Sequence, residues 1–432
     1  MGSSLLVAAV LAVTILIGSM ISVEVGLSVS IIEIVAGVAL GNTLHLATPD
    51  WLVFLASFGS VVLTFLAGAE VDPADFRATW RASILIGFLS FLAPFAGALL
   101  LLRYGFAWEP KAAQIGGIAL STTSLAVVYA VLVETGLNAT RIGKLIMSAT
   151  FVTDLGTVAA LSVLFIQPSW WLIPFAAVSV ALIAVMPRLD RWFFARYGNR
   201  VIEPEIKGAF AALLVLMWLG DQARSHAVLP AFLLGLAVAR TFQRHPATQR
   251  RFRVVAFALL TPFFFLRSGM NVSLPLVWAN LGLLGVLLAA KLAAKSVAVY
   301  PLARHYAPRH APFVTLLMST GLTFGTISAT YGLTAGYIDK AQFSVLVTVV
   351  VLTAVIPTAI AQRFFSPQPA TEAAVGPAAE PAPGPAAEPA GGHAPGHGAA
   401  AGPAAPPEGR GHQGAAAADG RDDRPYLGKE GP

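Results

Sequence analysis

Of 432 residues, 56% are hydrophobic and only 12% charged, against the roughly 25% charged content of an ordinary soluble domain. A water-exposed globule could not hide that much apolar surface, so the solvent of most of this chain is lipid. The formal charge of +6 does not signal nucleic-acid binding, because most Lys and Arg fall in short loops between apolar runs; the lack of cysteine excludes disulfides and thiolate metal sites.

The chain opens on an apolar run with no Lys or Arg before Arg77. A secretory signal needs a basic flank, so this run reads as a membrane span. Apolar stretches long enough to cross a bilayer recur at roughly 5–23, 26–46, 51–69, 82–102, 112–133, 145–166, 170–187, 208–223, 226–239, 254–272, 276–302, 312–333 and 342–362, about thirteen spans in all. Assigning the loops alternately to two sides gathers Arg77, Arg81, Arg141, Lys144, Arg188, Arg240, Arg250, Arg304 and Arg363, among others, on one side. Only Arg103, Lys111, Arg224 and Lys340 fall on the other. The positive-inside rule then places the N-terminus outside and the C-terminus in the cytoplasm. From 366 to 432 the composition turns to Ala, Pro and Gly, which cannot bury enough apolar surface to offset ordering entropy, so a disordered cytoplasmic tail is expected. His393, His397 and His412 in that tail read as solvated rather than metal-binding.

Ionisable residues inside the spans are the informative exceptions, each costing on the order of 2.5 to 3.5 kcal/mol at a helix centre unless paired or hydrated. They are Glu33 in the second span, Asp154 in the sixth, Arg267 in the tenth, and Lys291 with Lys295 in the eleventh; Asp221 stands near the end of the eighth. Asp154 has roughly a dozen apolar or small residues on either side, so it cannot snorkel to the surface. A carboxylate at that depth is either structural, held by a buried Lys or by hydroxyls, or an exchangeable site for a proton and a cation. Glu33, Arg267 and Lys291 read first as interhelical or interfacial anchors, and Glu70 with Asp72 as solvated or funnel-lining charges at a helix end, with Glu33, Glu70, Arg267 and Lys291 kept as lesser candidates for the transport site.

The fifth span, GGIALSTTSLAVVYAVL, and the twelfth, LLMSTGLTFGTISATYGL, are crowded with Gly, Ser and Thr in mid-span. Either the helices pack closely through small residues, or the backbone is interrupted where it lines a cavity. The two spans are seven apart, an odd offset, so five-span repeats made of spans 2 to 6 and 9 to 13 would run in opposite directions through the bilayer. Paired interruptions in inverted repeats point to an ion site near the midplane.

At these residues the chain resembles the monovalent cation:proton antiporter superfamily, in particular its Kef-type and bacterial Na+/H+ exchanger branch. SIIEIVAGVALGN at 30–42 is similar to the family's GEILAGILLGP, with Glu33, Gly37 and Gly41 in register. TFLAGAEVD at 64–72 resembles FLAGLEVD, and LSTTSLAVVYAVLVETGL resembles TSPAVVLAVLKELGL, with Thr123 and Ser124 on the unwound turn. TDLGT stands where the family has a DD, ND or QD pair, with Asp154 at the second, ion-carrying position; KSVAVYPLAR puts Lys295 at the family's Lys. PAFLLGLAVAR and TPFFFLRSGMNV also have counterparts. The chain departs from the family at Leu125, where Pro follows Thr-Ser, and in the twelfth span, where TGLTFGT replaces a GE.

The resemblance implies an all-α integral membrane fold of about thirteen helices with crossed, broken helices. It implies a core bundle near 82–187 and 276–362 and a dimerisation scaffold near 5–69 and 208–272. It implies a homodimer in the inner (plasma) membrane of a bacterial cell, exchanging Na+ or K+ for H+ by alternating access, with no cofactor and no enzymatic activity. Carried onto this chain, the cation and proton site is Asp154 with Thr153, Thr123 and Ser124, supported by Lys295; the second broken helix brings Gly321, Thr323 and Gly325. Because a hydroxyl, Thr153, stands where the family has a first carboxylate, Lys295 is expected to stay unpaired or to lean on Asp154, which points to electroneutral exchange. A gated K+-efflux channel is the alternative, although no filter-forming segment is present. An enzyme would need a string such as HExxH or GxSxG, and neither occurs.

Overall fold

The computed structural model describes residues 2–44, 48–166, 168–197, 203–223 and 225–365. The expectation for the tail, 366–432, lies outside them. Among the described residues every regular element is helical. The first are α1 (Gly2–Val25), α2 (Val29–Thr43), α3 (Asp50–Ala69) and α4 (Pro73–Leu100), which runs on through a π turn. Then come α5 (Pro110–Ser121), α6 (Leu125–Glu134), α7 (Arg141–Leu164), α8 (Leu172–Tyr197), α9 (Pro204–Gln222) and α10 (Val228–Arg244). A π turn at Ala256–Leu260 joins α11 (Pro246–Val255) to α12 (Thr261–Met270); α13 (Leu274–Ala279) and α14 (Leu281–Tyr306) follow, and the chain continues with α15 (Ala311–Met318), α16 (Thr323–Thr334) and α17 (Lys340–Phe364).

Nine of the described helical segments are long and apolar enough to cross a membrane, and Val29–Thr43 and Leu172–Met186 are shorter apolar helices. Nine crossings, rather than thirteen, therefore stand on length and hydropathy alone. The expected spans at 208–223 and 226–239 correspond to α9 and α10. One end of the molecule is rich in arginine: there Glu70, at the end of α3, pairs with Arg253 at 3.2 Å, Lys144 pairs with Asp75 at 2.8 Å, and α7 begins at Arg141.

Two groups of helices are distinguished by what they bury. In the scaffold, α3 packs on α10 and α2 on α12. Both crossings are made at glycines. A Cβ on Gly68 would strike the Phe232 carbonyl and one on Gly235 the Phe65 carbonyl; in the other pair Gly37 meets the Leu266 carbonyl and Gly269 that of Ile34. If α2 is matched to α10, and α3 to the α11–α12 segment, the repeat exchanges the two crossings. The bundle comprises α4 to α7 and α14 to α17, with α4 packed on both α7 and α14. On one count the expected boundary is wrong. Phe175 of α8, with the partly buried Leu182 and Met186, joins the apolar cluster formed by Val61, Ile206 and Leu213, so α8 belongs with the scaffold and the bundle ends there at Leu164 rather than near 187.

Candidate functional site

Both interruptions expected from sequence are present. α5 ends at Ser121 and α6 begins at Leu125; α15 ends at Met318 and α16 begins at Thr323. Breaking a helix inside apolar surroundings strands its last carbonyls and first amides, and the Ser and Thr crowding answers that need. Ser121 Oγ donates back to the Ile118 carbonyl at 2.8 Å and Thr122 Oγ1 to that of Ala119 at 3.2 Å. In the second break Ser319 Oγ donates to the Thr315 carbonyl at 2.7 Å and Thr320 Oγ1 to that of Leu317 at 2.8 Å. Ser124, in extended backbone, caps α6 by accepting from the Val127 amide at 3.5 Å. The breaks also hold each other: Thr123 Oγ1 donates to the Met318 carbonyl at 2.9 Å, and the Ser124 amide donates to Thr320 Oγ1 at 3.4 Å.

Asp154 lies beside this crossing on α7. One turn earlier on the same helix, Thr150 Oγ1 contacts Met318 Sδ at 3.7 Å. The Asp154 side chain is 1% exposed, and its Oδ1 has no hydrogen-bond partner among the described residues. Two lysines one turn apart on α14 are buried equally deeply. Lys295 Nζ donates to Ser90 Oγ on α4 at 2.8 Å and to Thr123 Oγ1 at 2.9 Å. Lys295 is therefore neither without partners nor in an ion pair with Asp154, as had been expected. Hydroxyls on two neighbouring elements supply acceptors that the missing first carboxylate does not. Lys291 Nζ donates to Thr353 Oγ1 of α17 at 3.0 Å.

The remaining expected residues divide. Thr153 Oγ1 is turned to the carbonyls of Gly87 at 3.2 Å and Ala149 at 3.1 Å, tying α7 to α4. Gly321 lies in the second break and its missing side chain leaves room for Lys291 Nζ. Gly325 is helical, and its bareness admits the Ala119 carbonyl. Thr323, half-buried, opens α16. Away from the crossing, Glu33 is buried in the scaffold with Oε2 unpartnered, close to the Gly37 contact. Burial holds the Glu70 carboxyl above the usual carboxylate range, and Arg253 acts in the opposite direction. Asp72 caps α4 by accepting from the Ala74 amide at 2.7 Å. Arg267 lines a cavity of about 510 Å³ between scaffold and bundle, at the end away from the arginines, together with Ser57, Asp221, His226 and Tyr331. Towards the arginine-rich end, the same boundary is closed by Phe151, which stacks on Phe232 at 5.7 Å and meets Phe76 edge-on at 5.7 Å. Sequence reasoning missed Ser90, Thr122, Thr320 and Thr353. Ser90 and Thr353 are single hydroxyls in apolar runs, a pattern too common to mark a site without its partner, and Thr122 and Thr320 lie in the Ser- and Thr-rich breaks, where nothing in the sequence sets them apart from their neighbours.

An all-helical membrane protein with inverted repeats, whose two broken helices cross beside a buried carboxylate, has the build of a secondary ion transporter. Comparison with known proteins agrees. Residues 8–365 match the family model described as sodium/hydrogen exchanger, transmembrane. The chain is 24% identical over 349 residues to a protein named probable Na(+)/H(+) antiporter 3 of Methanocaldococcus jannaschii, covering 77% of this chain and 89% of that one. It is 28% identical over 270 residues to the iron transporter MagA of Paramagnetospirillum magneticum, covering 59% and 61%. The solved structure of the sodium proton antiporter MjNhaP1 from Methanocaldococcus jannaschii has the same fold, with a TM-score of 0.64 at 11% identity over 83% of this chain and 98% of that one. The chain belongs to the sodium/hydrogen exchanger family, and its activity is cation/proton exchange.

Proposed function

We propose that this protein exchanges one monovalent cation, Na+ or K+, for one proton by alternating access, with Asp154 as the single group both ions use. The observation that carries this reading is a carboxylate 1% exposed, with one oxygen unpartnered, beside two crossed helix breaks. A carboxylate with its hydrogen-bonding capacity unfilled is ready to take a proton or to ligate a cation, and it cannot do both at once. That competition couples the two fluxes. A monovalent cargo suits the site better than iron: no group of three His, Cys, Asp or Glu side chains among the described residues could hold a metal ion, and the buried charges beside Asp154 are cationic.

The cavity at one end and the phenylalanine closure at the other support movement of the bundle against the scaffold, exposing Asp154 to each side in turn. In this reading the arginine-rich end is cytoplasmic, the membrane is the inner membrane of a bacterial cell, and the scaffold carries a homodimer interface. Lys295, on the same reading, stays with Ser90 and Thr123 and keeps its proton through the cycle, which makes the exchange electroneutral.

The primary test is Asp154→Asn in proteoliposomes. The amide keeps the shape but cannot take up a proton reversibly, so exchange should vanish while insertion and folding persist; near-wild-type exchange would remove Asp154 from the site. Stoichiometry is tested separately by clamping the membrane potential with potassium and valinomycin while sodium or lithium is the substrate. A rate that moves systematically with the clamped potential would show that net charge crosses in each cycle.

A further inference from the structure

A second cavity, of about 320 Å³, lies at the arginine-rich end of the bundle, and the site around Asp154 leaves it unused. Three elements wall it: α4 through Thr79, Trp80 and Arg81, the first turn of α7 through Arg141, and the turn joining α14 to α15 through Tyr306 and His310. Arg81 and Arg141 are exposed, and neither has an ion-pair or hydrogen-bond partner among the described residues. Arg81 Cζ stands over the Trp80 ring at 5.3 Å, a contact that uses the face of the guanidinium and leaves its N–H edge for another partner. Among the described residues no carboxylate lines the cavity, and Asp75, one turn before Thr79, is held by Lys144 at 2.8 Å. Two guanidinium groups beside the positive end of α7 make a place for an anion, and paired N–H groups of arginine suit a phosphate.

The helix that carries Arg81 says which phosphate. Ile84, Leu85, Phe88 and Leu92 of α4 are all exposed on a helix long and apolar enough to cross the membrane, and at about 3.6 residues per turn Arg81 lies on their face, at its arginine-rich end. A free phosphate would engage the arginines and leave that stripe bare. A phospholipid engages both, with Trp80 at the level between headgroup and chain, where tryptophan is favoured, and basic pockets between membrane helices take such headgroups. We propose that this cavity binds the phosphate headgroup of an anionic phospholipid, with its acyl chain along the exposed face of α4. The headgroup bridges Arg81 and Arg141, and so ties together the near ends of the helices that carry Ser90 and Asp154, beside the turn that leads into the second break. The lipid is a partner of the bundle distinct from the transported ions, and its site does not depend on which group carries them.

The experiment follows the melting temperature of the full-length protein in detergent as phosphatidylglycerol is added in mixed micelles, with phosphatidylcholine and inorganic phosphate as the two controls. Phosphatidylglycerol should give a saturable rise of several degrees that neither control gives. Arg81→Gln combined with Arg141→Gln should remove most of that rise, whereas Arg250→Gln, which removes an exposed arginine on α11, should keep it. An undiminished rise in the double variant overturns the proposal. An equal rise with phosphatidylcholine shows that the charge is not read, and an equal rise with inorganic phosphate gives the cavity to a free anion; either result overturns the assignment to an anionic lipid. Should the double variant fail to fold, Trp80 decides the matter in proteoliposomes. Brominated phosphatidylglycerol at low mole fraction in phosphatidylcholine should quench the Trp80-dependent share of fluorescence, taken as wild type minus Trp80→Phe, more strongly than brominated phosphatidylcholine at the same fraction. Equal quenching by the two lipids counts against the proposal.

Discussion

The scaffold and the bundle solve the problem of close helix approach in opposite ways. At the α3–α10 and α2–α12 crossings backbone meets backbone through Gly68, Gly235, Gly37 and Gly269. In the bundle the approach is lined with hydroxyls, and the backbone itself is broken: Thr123, Ser124, Thr320 and Ser319 take over hydrogen bonds that a continuous helix would have kept. A glycine contact has one good geometry and resists sliding. A hydroxyl can redirect its proton between acceptors within an ångström or so. In the proposed cycle the part that stays fixed is packed by removing side chains, and the part that would bind, release and shift is packed by adding short polar ones.

Asp154→Asn and Gly235→Val should separate these roles most sharply. The first should abolish exchange in a protein that still purifies as a folded species. The second drives two methyl groups into the Phe65 carbonyl and should cost about 3 kcal/mol or more, read as loss of folded protein on size exclusion or a steep fall in melting temperature. If Gly235→Val folds normally and only transport falls, the scaffold is not the rigid partner.

A smaller effect is expected at Ser90. Removing its hydroxyl leaves Lys295 with Thr123 alone, a loss of about 1 to 3 kcal/mol for a buried charged donor, so Ser90→Ala should slow exchange several-fold and lower the melting temperature, with Ser90→Thr closer to wild type. The smallest effect lies at the boundary between scaffold and bundle. There His226 sits edge-on to Tyr331 at 4.0 Å, and burial pushes its imidazole down from 6.5 to about 4. Between those values the unfolded chain takes up a proton that the folded chain refuses, so the stability His226 contributes is complete above pH 6.5 and drains away as pH falls towards 4. His226→Gln should flatten that part of a melting-temperature profile. An unchanged profile would mean that His226 is already solvated enough to protonate in the folded state.

Much of the bundle was legible in the sequence because its signals are local. Ser121 to Ser124 and Ser319 to Gly321 interrupt apolar runs with residues whose hydroxyls or bareness suit a broken backbone, and the odd offset between them gave the inverted repeat. Asp154 was legible because a carboxylate in mid-span has so few innocent explanations. What could not be read depends on partners far away in the chain. Lys295 was expected to stay unpaired or to lean on Asp154, since the family's first carboxylate is missing; its acceptors are a serine 205 residues away and a threonine 172 away. The resemblance put α8 in the bundle, whose expected bound lay near 187. Only the shape of its Phe175 and Met186 face, matched to the cluster around Leu213, puts it on the scaffold. Thr153 sits in the motif beside Asp154, but helical rotation turns it to α4 and the Gly87 carbonyl.

The exchanged glycine crossings also bear on how the protein is made. Each crossing takes one helix from the first half of the chain and one from the second: α3 waits for α10, and α2 for α12, some 170 to 230 residues later. During synthesis the early helices enter the bilayer with their glycine faces open, and the scaffold crossings close only once α10 and α12 have followed, ahead of the bundle helices α14 to α17. Neither half closes these crossings by itself, so a chain stopped early leaves its bare glycine stripes open to pairing with other helices.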